Sequence, residues 1–243
     1  MAIYTIADLH LSINDQTNKS MEVFGSRWNG YVEKLEQHWK NTIQENDTVI
    51  IPGDISWAMT LDEARNDFAF LNSLPGTKII GKGNHDFWWA TQAKIDAFFA
   101  ENHFDTIRCL HNNAYLAEGL LICGSRGWYN YPDINSIPSG TDYEKIVRRE
   151  AMRLEASLAY AEQSFPESQA EKLVFLHFPP IFQGFRCEDI LAVMKTHGVK
   201  RCFYGHIHGP NNFPQTFSDD GITFSLIAAD QMEFIPRHVP FLP

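Results

Sequence analysis

The chain has 243 residues, of which 44% are hydrophobic and 21% charged, the balance of a soluble globular protein. That excludes wholesale disorder, collagen-like repeats and a membrane bundle. Thirty acids against twenty bases leave a formal charge of −10, which disfavours a protein that tracks nucleic acid through a basic surface. Ten histidines raise the question of whether they are scattered or organised, because histidine is the commonest metal ligand and a frequent general acid or base. Cys109, Cys123, Cys187 and Cys202 form no CxxC pair, so reduced thiols and a cytoplasmic location are expected. The opening MAIYTIADLH does not read as a signal peptide.

In chain order, short β-branched runs alternate with amphipathic stretches, the pattern of a layered α/β protein. Ala2–Ala7 reads as a buried strand, and residues 28–44 have helical spacing. Thr48–Ile51 is a second strand. Thr60-Leu-Asp-Glu63 reads as a capping box that opens a helix. Lys78–Gly81 is a third strand, and Ala93–Ala100 lies in a helix. Ile107–Leu110, Asn113–Leu116 and Leu120–Cys123 predict three strands in an antiparallel meander. Residues 124–140 form a long loop rich in Gly, Pro, Ser and aromatics. Thr141-Asp-Tyr-Glu144 reads as a second capping box, opening a helix that runs to about residue 163. Leu173–Leu176, Arg201–Tyr204 and Ile222–Ile227 are strands, and Glu188–Thr196 is a helix. No linker divides the chain, so one domain over 1–243 is expected, with two sheets flanked by helices.

The polar residues fall at strand ends. Ile3–Ala7 runs into Asp8-Leu-His10, and Val49–Ile51 into Gly53-Asp54. Ile79-Ile80 runs into Gly83-Asn84-His85-Asp86, Leu173–Leu176 into His177, and Cys202–Tyr204 into Gly205-His206-Ile-His208. In α/β sheets ligand sites lie beyond the carboxyl ends of the strands, so neighbouring strands would aim these side chains into one crevice. A set of Asp, Asn and His without thiolate suits Mn, Fe, Zn, Co or Ni better than calcium. The ligands are too many for one tetrahedral ion. Two ions roughly 3.5–4 Å apart that share a carboxylate account for the number and suit phosphoester chemistry.

These five blocks, in this order between residues 8 and 208, resemble the calcineurin-like metallophosphoesterase superfamily. The resemblance implies a four-layer α/β/β/α sandwich of two mixed sheets with a dinuclear site at its edge. It implies that Asp8, His10 and His208 bind one metal and that Asn84, His177 and His206 bind the other, with Asp54 bridging. His85 would assist the substrate, and Asp86 would orient His85. The expected chemistry is phosphoester hydrolysis by attack of a metal-bridging hydroxide, with His85 stabilising charge or protonating the leaving oxygen.

The departures bear on substrate. The run after Asp54 contains no arginine, unlike protein Ser/Thr phosphatases of the superfamily. Trp57 stands where purple acid phosphatases place a tyrosine ligand, and indole cannot ligate. Trp57 therefore packs the core or walls the cleft, and Trp88-Trp89 reads as core or cleft wall rather than a binding platform. Phe178-Pro-Pro180 would stiffen the turn that holds His177. For Arg126, Trp128, Tyr129 and Tyr131 two readings stand side by side. They contact the substrate, by guanidinium pairing and ring stacking, or they pack the next helix onto the sheet; a loop-plus-helix segment at about 124–165 is expected to border the cleft. His38, His103, His111, His197 and His238 read as incidental. Asp15, Asp62 and Asp230 read as solvated or capping. The partner expected is a small phosphoester, with a phosphodiester or nucleotide-like one preferred. No membrane partner is expected, and the pattern sets no oligomeric state. Two rival readings are a non-catalytic scaffold that retains the fold and a nuclease.

Overall fold

The computed structural model describes residues 1–13, 21–128, 142–210 and 212–241. Tyr129, Tyr131 and Asp15, all discussed above, lie outside the described residues. One sheet runs in the order β13 (Arg237–Val239), β1 (Ile3–Thr5), β2 (Thr48–Pro52), β3 (Thr77–Gly81), β4 (Ile107–Cys109). In it β1 to β4 are parallel and β13 is antiparallel to β1. The other runs β11 (Thr216–Asp219), β12 (Ile222–Leu226), β10 (Arg201–Tyr204), β7 (Glu171–Leu176), β6 (Leu120–Ser125), β5 (Tyr115–Ala117). Its four central strands are parallel and its two edges antiparallel.

The side-chain period of two sorts each strand into two cores. In β2, Ile50 faces the other sheet, and with Ile79 of β3 it meets Ile122, Leu173 and Phe203 there. Its neighbours Val49 and Ile51 turn the opposite way. They meet Leu35 and Trp39 of α1 (Tyr31–Thr42), Phe68 of α2 (Arg65–Ser73) and Ile95 of α3 (Gln92–Glu101). On the far side, Val174 and Cys202 pack on Leu154 and Leu158 of α4 (Tyr143–Ser164) and on Leu191 of α5 (Glu188–Thr196). Strands buried on both faces read as continuous apolar runs, which is why they stand out in the sequence. The layers are therefore helices, sheet, sheet, helices, as expected. All four cysteines are buried and unpaired. No helix among the described residues is long and apolar enough to cross a membrane.

Three local expectations need correction. The meander does not form, because β4 closes the first sheet beside β3 while β5 and β6 pair as a hairpin in the second. The chain changes sheets between them. The cap of α4 is Asp142, whose carboxylate accepts the Lys145 N–H at 3.1 Å, one residue beyond the cap expected at Thr141, which itself lies outside the described residues. At the first box, Thr60 Oγ1 accepts the Glu63 N–H at 3.3 Å, while Glu63 takes the Met59 N–H. That turn precedes α2, which begins only at Arg65. The structure also adds elements without a sequence signal, the short strands β11 and β13 and the hairpin β8 (Ile181–Phe182) to β9 (Phe185–Arg186).

Asp142→Ala should lower unfolding stability by about 1 kcal/mol, the usual worth of an N-cap, and should leave metal content unchanged. Urea denaturation beside elemental analysis reads both, and an unchanged midpoint would contradict the assigned cap.

Candidate metal centre

The ends of β1, β2 and β3 bring Asp8, His10, Asp54, Asn84 and His85 to one edge of the first sheet. The ends of β7 and β10 bring His177, His206 and His208 to the facing edge of the second. The two edges are stitched by hydrogen bonds from Ala7 N–H to Ile227 O at 2.8 Å and from the His206 N–H to both Asp8 carboxylate oxygens, at 2.9 and 3.0 Å.

The backbone is forced at these turns. Asp8, His10, Asp54 and His206 have φ of 61°, 46°, 52° and 70°, the left-handed region that costs an L residue roughly 1–2 kcal/mol. Such conformations persist where the surroundings over-determine them, commonly at functional sites. Two glycines permit the crowding. A Cβ on Gly83 would collide with the Asp54 carboxylate, and one on Gly205 with the Asp8 carboxylate.

Two ligand-competent groups result, Asp8 with His10 and His208, and Asp8 with Asp54 and His177. Asp8 Oδ1 lies 3.6 Å from His208 Nε2 and 3.7 Å from His177 Nδ1. Asp54 Oδ2 lies 3.6 Å from His10 Nε2 and 3.5 Å from His177 Nε2. Asn84 Oδ1 is 2.6 Å from His177 Nε2, and His10 Nε2 is 3.1 Å from His208 Nε2. The His206 ring stands 5.1 Å from that of His177, centre to centre. The residues expected as ligands are thus brought together.

The electrostatics fit a cation. Burial pushes the Asp8 carboxyl up from 3.8 to about 7, opposed in part by His208. Burial, then Asp86 and Asp8, pushes Asp54 well above its ordinary range. Burial and neighbouring imidazoles hold His10 and His177 well below 6.5 and bring His206 to about 3. These rings are neutral donors, the form that binds metal. The buried Nδ1 atoms of His10 and His177 have no hydrogen-bond partner. Neutral imidazoles of His10, His177 and His206 beside buried carboxylates form a donor set that fits a divalent cation.

Asp230, read from the sequence as solvated or capping, is neither. It is buried and accepts from His208 at Nδ1, 2.9 Å away, from the Gly209 N–H at 2.9 Å and from Arg27 at 3.1 Å. That contact turns the His208 Nε2 lone pair toward Asp8 and fixes its tautomer. Asp86 also differs from expectation. Its carboxylate accepts the backbone N–H groups of Gly83, Asp54, Ile55 and Ser56 and the indole N–H of Trp88. It ties the ends of β2 and β3 together.

Trp57 both packs on the first core and walls the site, its ring 4.9 Å from His10 and 4.2 Å from His85. Trp28 packs edge-on to His10 and His208, and the Tyr31 hydroxyl donates to the His10 carbonyl at 2.6 Å. Sequence reasoning passes over both. Their only signal is an aromatic pair at helical spacing, which reads as core. Arg126 pairs with Glu150 at 3.1 Å and lies over the Trp128 ring, which packs on Phe178 at 4.7 Å. These contacts follow the packing alternative for both residues. The Arg126 carbonyl accepts the N–H of His177 at 3.1 Å, which sets the backbone at Arg126 beside that histidine.

The family model for calcineurin-like phosphoesterases matches residues 1–210. The chain belongs to that family. Membership makes it one of the metal-dependent phosphoester hydrolases and accounts for the α/β sandwich described above. A phosphopantetheinyl hydrolase from Mycobacterium tuberculosis superposes with a TM-score of 0.53 at 16% identity, over 100% of this chain and 96% of that one. The protein TT1561 of Thermus thermophilus superposes with a TM-score of 0.53 at 13% identity, over 92% and 87%. AQ665 from Aquifex aeolicus, a protein of unknown function, reaches a TM-score of 0.45 at 18% identity, over 98% and 95%. At these identities the first two speak to fold alone. No curated protein matches the sequence. The phosphoesterase model ends at residue 210, yet β12 and β13 beyond it each pair with a strand inside it.

Two predictions arise here. Asp230→Ala should weaken metal affinity by roughly 10–100-fold, the usual effect of losing a partner behind a ligand histidine. Chelator competition measures it, and wild-type affinity would contradict the role. The second concerns pH. A carboxyl raised from 3.8 to about 7 favours its neutral form in the fold, so its stability contribution is full below about 3.8 and is lost as pH rises through about 7. A cation needs the charged form and reverses that trend. The Tm gain on adding Mn²⁺ to chelated protein should therefore grow from about pH 5.5 to about pH 8; a gain independent of pH would contradict the reading.

Proposed function

We propose that the chain hydrolyses a phosphoester with two metal ions held on either side of Asp54. The observation that carries this is the single oxygen Asp54 Oδ2, nearly equidistant from His10 Nε2 and His177 Nε2 at 3.6 and 3.5 Å. Asp8, His10 and His208 would hold one ion, and Asn84, His177 and His206 the other. Mn, Fe and Zn suit this thiolate-free set best. When bound, the ions supply positive charge for phosphoryl oxygens and lower the pKa of a water.

The chain does the rest. His85 N–H donates to Asp54 Oδ1 at 2.8 Å, which ties the histidine to the proposed bridging carboxylate. The His85 ring lies beside Trp57 on the half-exposed side of the site. There it can hold a proton for the leaving oxygen or steady charge on the phosphoryl group. Trp57 keeps water from one flank. Phe87, more than half exposed and 6.2 Å from the His85 ring, offers an apolar face to an organic group. That supports a phosphodiester or nucleotide-like substrate over a bare monoester. A small-molecule substrate, action in the cytoplasm and one functional unit over 1–243 complete the proposal.

The test is turnover of bis-p-nitrophenyl phosphate with Mn²⁺. His85→Ala should lower kcat by about 10²–10⁴-fold with metal content retained, and Asp54→Asn should lose both activity and metal. Wild-type inactivity with Mn, Fe and Zn across a phosphoester panel would overturn the reading. It would favour a metal-binding scaffold.

A further inference from the structure

Next to the metal centre lies a buried carboxylate that neither ion would touch. Asp67 sits in the first turn of α2 and is 1% exposed. Its Oδ1 accepts the Ile13 N–H at 2.8 Å, and its Oδ2 accepts the Ser56 hydroxyl. Ser56 Oγ in turn accepts the Ala58 N–H at 3.1 Å. Burial pushes the Asp67 carboxyl above 3.8, and the bonds from Ser56 and Ile13 oppose that shift. A buried acid is costly unless its oxygens are met. Here two donors from two separate chain segments meet them.

Those segments carry Asp8 and His10 on one side and Asp54 and Trp57 on the other. They run side by side. The His10 N–H donates to the Asp54 carbonyl at 2.9 Å, the Leu11 N–H to that of Ile55 at 2.9 Å, and the Trp57 N–H to that of Leu11 at 3.0 Å. Asp67 closes this pairing at its far end, between Ile13 and Ser56. The pairing keeps His10 Nε2 3.6 Å from Asp54 Oδ2 although both residues have left-handed backbones, at φ 46° and 52°. Such conformations persist only where the surroundings hold them. Tyr31, whose hydroxyl donates to the His10 carbonyl, lies within electrostatic reach of Asp67. Both supports therefore converge on one histidine.

The other half of the centre is held by different groups. Asp86 takes the Gly83 N–H just before Asn84, the Arg126 carbonyl takes the His177 N–H, and the Phe178 ring stands 4.4 Å from that of His206. Asp54 keeps its own N–H on Asp86 at 2.9 Å, so the proposed bridging carboxylate has an anchor apart from Asp67. We propose that Asp67 is a positioning residue for one ion and not the other. The ion it serves is the one assigned to Asp8, His10 and His208, and it acts by holding the backbone that aims His10. This rests on the two-ion reading of the centre, and its test does not require turnover.

The experiment is calorimetric titration of Mn²⁺ into the full chain after its metal has been stripped. Wild type should show two binding events. His10→Ala marks the event that belongs to the first ion, and His206→Ala marks the other. Asp67→Ala should weaken the first by about 10-fold, the lower end for a group behind a metal ligand, and leave the second at its wild-type affinity. General loosening of the fold would weaken both. Asp67→Asn should restore most of the loss, because its amide offers one acceptor to Ile13 and a donor to Ser56 Oγ. Ser56→Ala removes one contact only and should give a smaller loss at the same ion; it carries the test if a thermal melt shows Asp67→Ala unfolded. Equal weakening of both events, or of neither, would overturn the proposal, as would an Asp67→Asn loss as large as that of Asp67→Ala. A single event in wild type would overturn the two-ion reading. The role of Asp67 would then stand if Asp67→Ala and His10→Ala both weaken that event, and fall if Asp67→Ala binds as wild type does.

Discussion

Two carboxylates buried together shape this molecule. Asp8 and Asp54 lie almost wholly out of water, beside His10 and His177, which burial keeps neutral. Removing a charge from water is costly unless it is paired or coordinates a metal. Backbone N–H groups answer part of that cost, from His206 to Asp8 and from His85 to Asp54. The rest falls to a cation. The strained turns and the two glycines against the carboxylates make sense as the means of bringing these groups to one point.

The sheets supply the point. Parallel strands end on the same side, so β1, β2 and β3 deliver one half of the proposed ligand set and β7 and β10 the other. Packing of the sheets through Ile50, Ile79, Leu173 and Phe203 holds the two edges face to face. Behind the ligands, Asp86 locks two strand ends, Asp230 locks a ring and Tyr31 locks a carbonyl. Each is a buried polar group with its partners satisfied, which rigidifies a site at little net cost.

Much of this is legible in the residues. Strands buried on both faces are apolar along their whole length, and each ends in a polar block, so strand and ligand announce each other. Asp230 is not legible, because its meaning lies in His208, which folding brings beside it across the end of the second sheet. Asp86 is half legible. Its place in Gly-Asn-His-Asp suggests a partner for the adjacent ring, while the fold gives its oxygens to backbone donors from two strands. The meander fails for a related reason. Three short strands in succession carry no mark of a change of sheet, and only the opposed cores separate β4 from β5. Arg126 reads equally as a phosphate clamp or as packing, and Glu150, buried in a helix 24 residues on, is the partner that spacing cannot reveal.

The central claim is that two ions share Asp54. Anomalous diffraction from crystals soaked in Mn²⁺ tests it most directly. Two peaks, one beside Asp8, His10 and His208 and one beside Asn84, His177 and His206, with Asp54 between them, are the predicted result. A single peak, or peaks away from Asp54, would contradict the account.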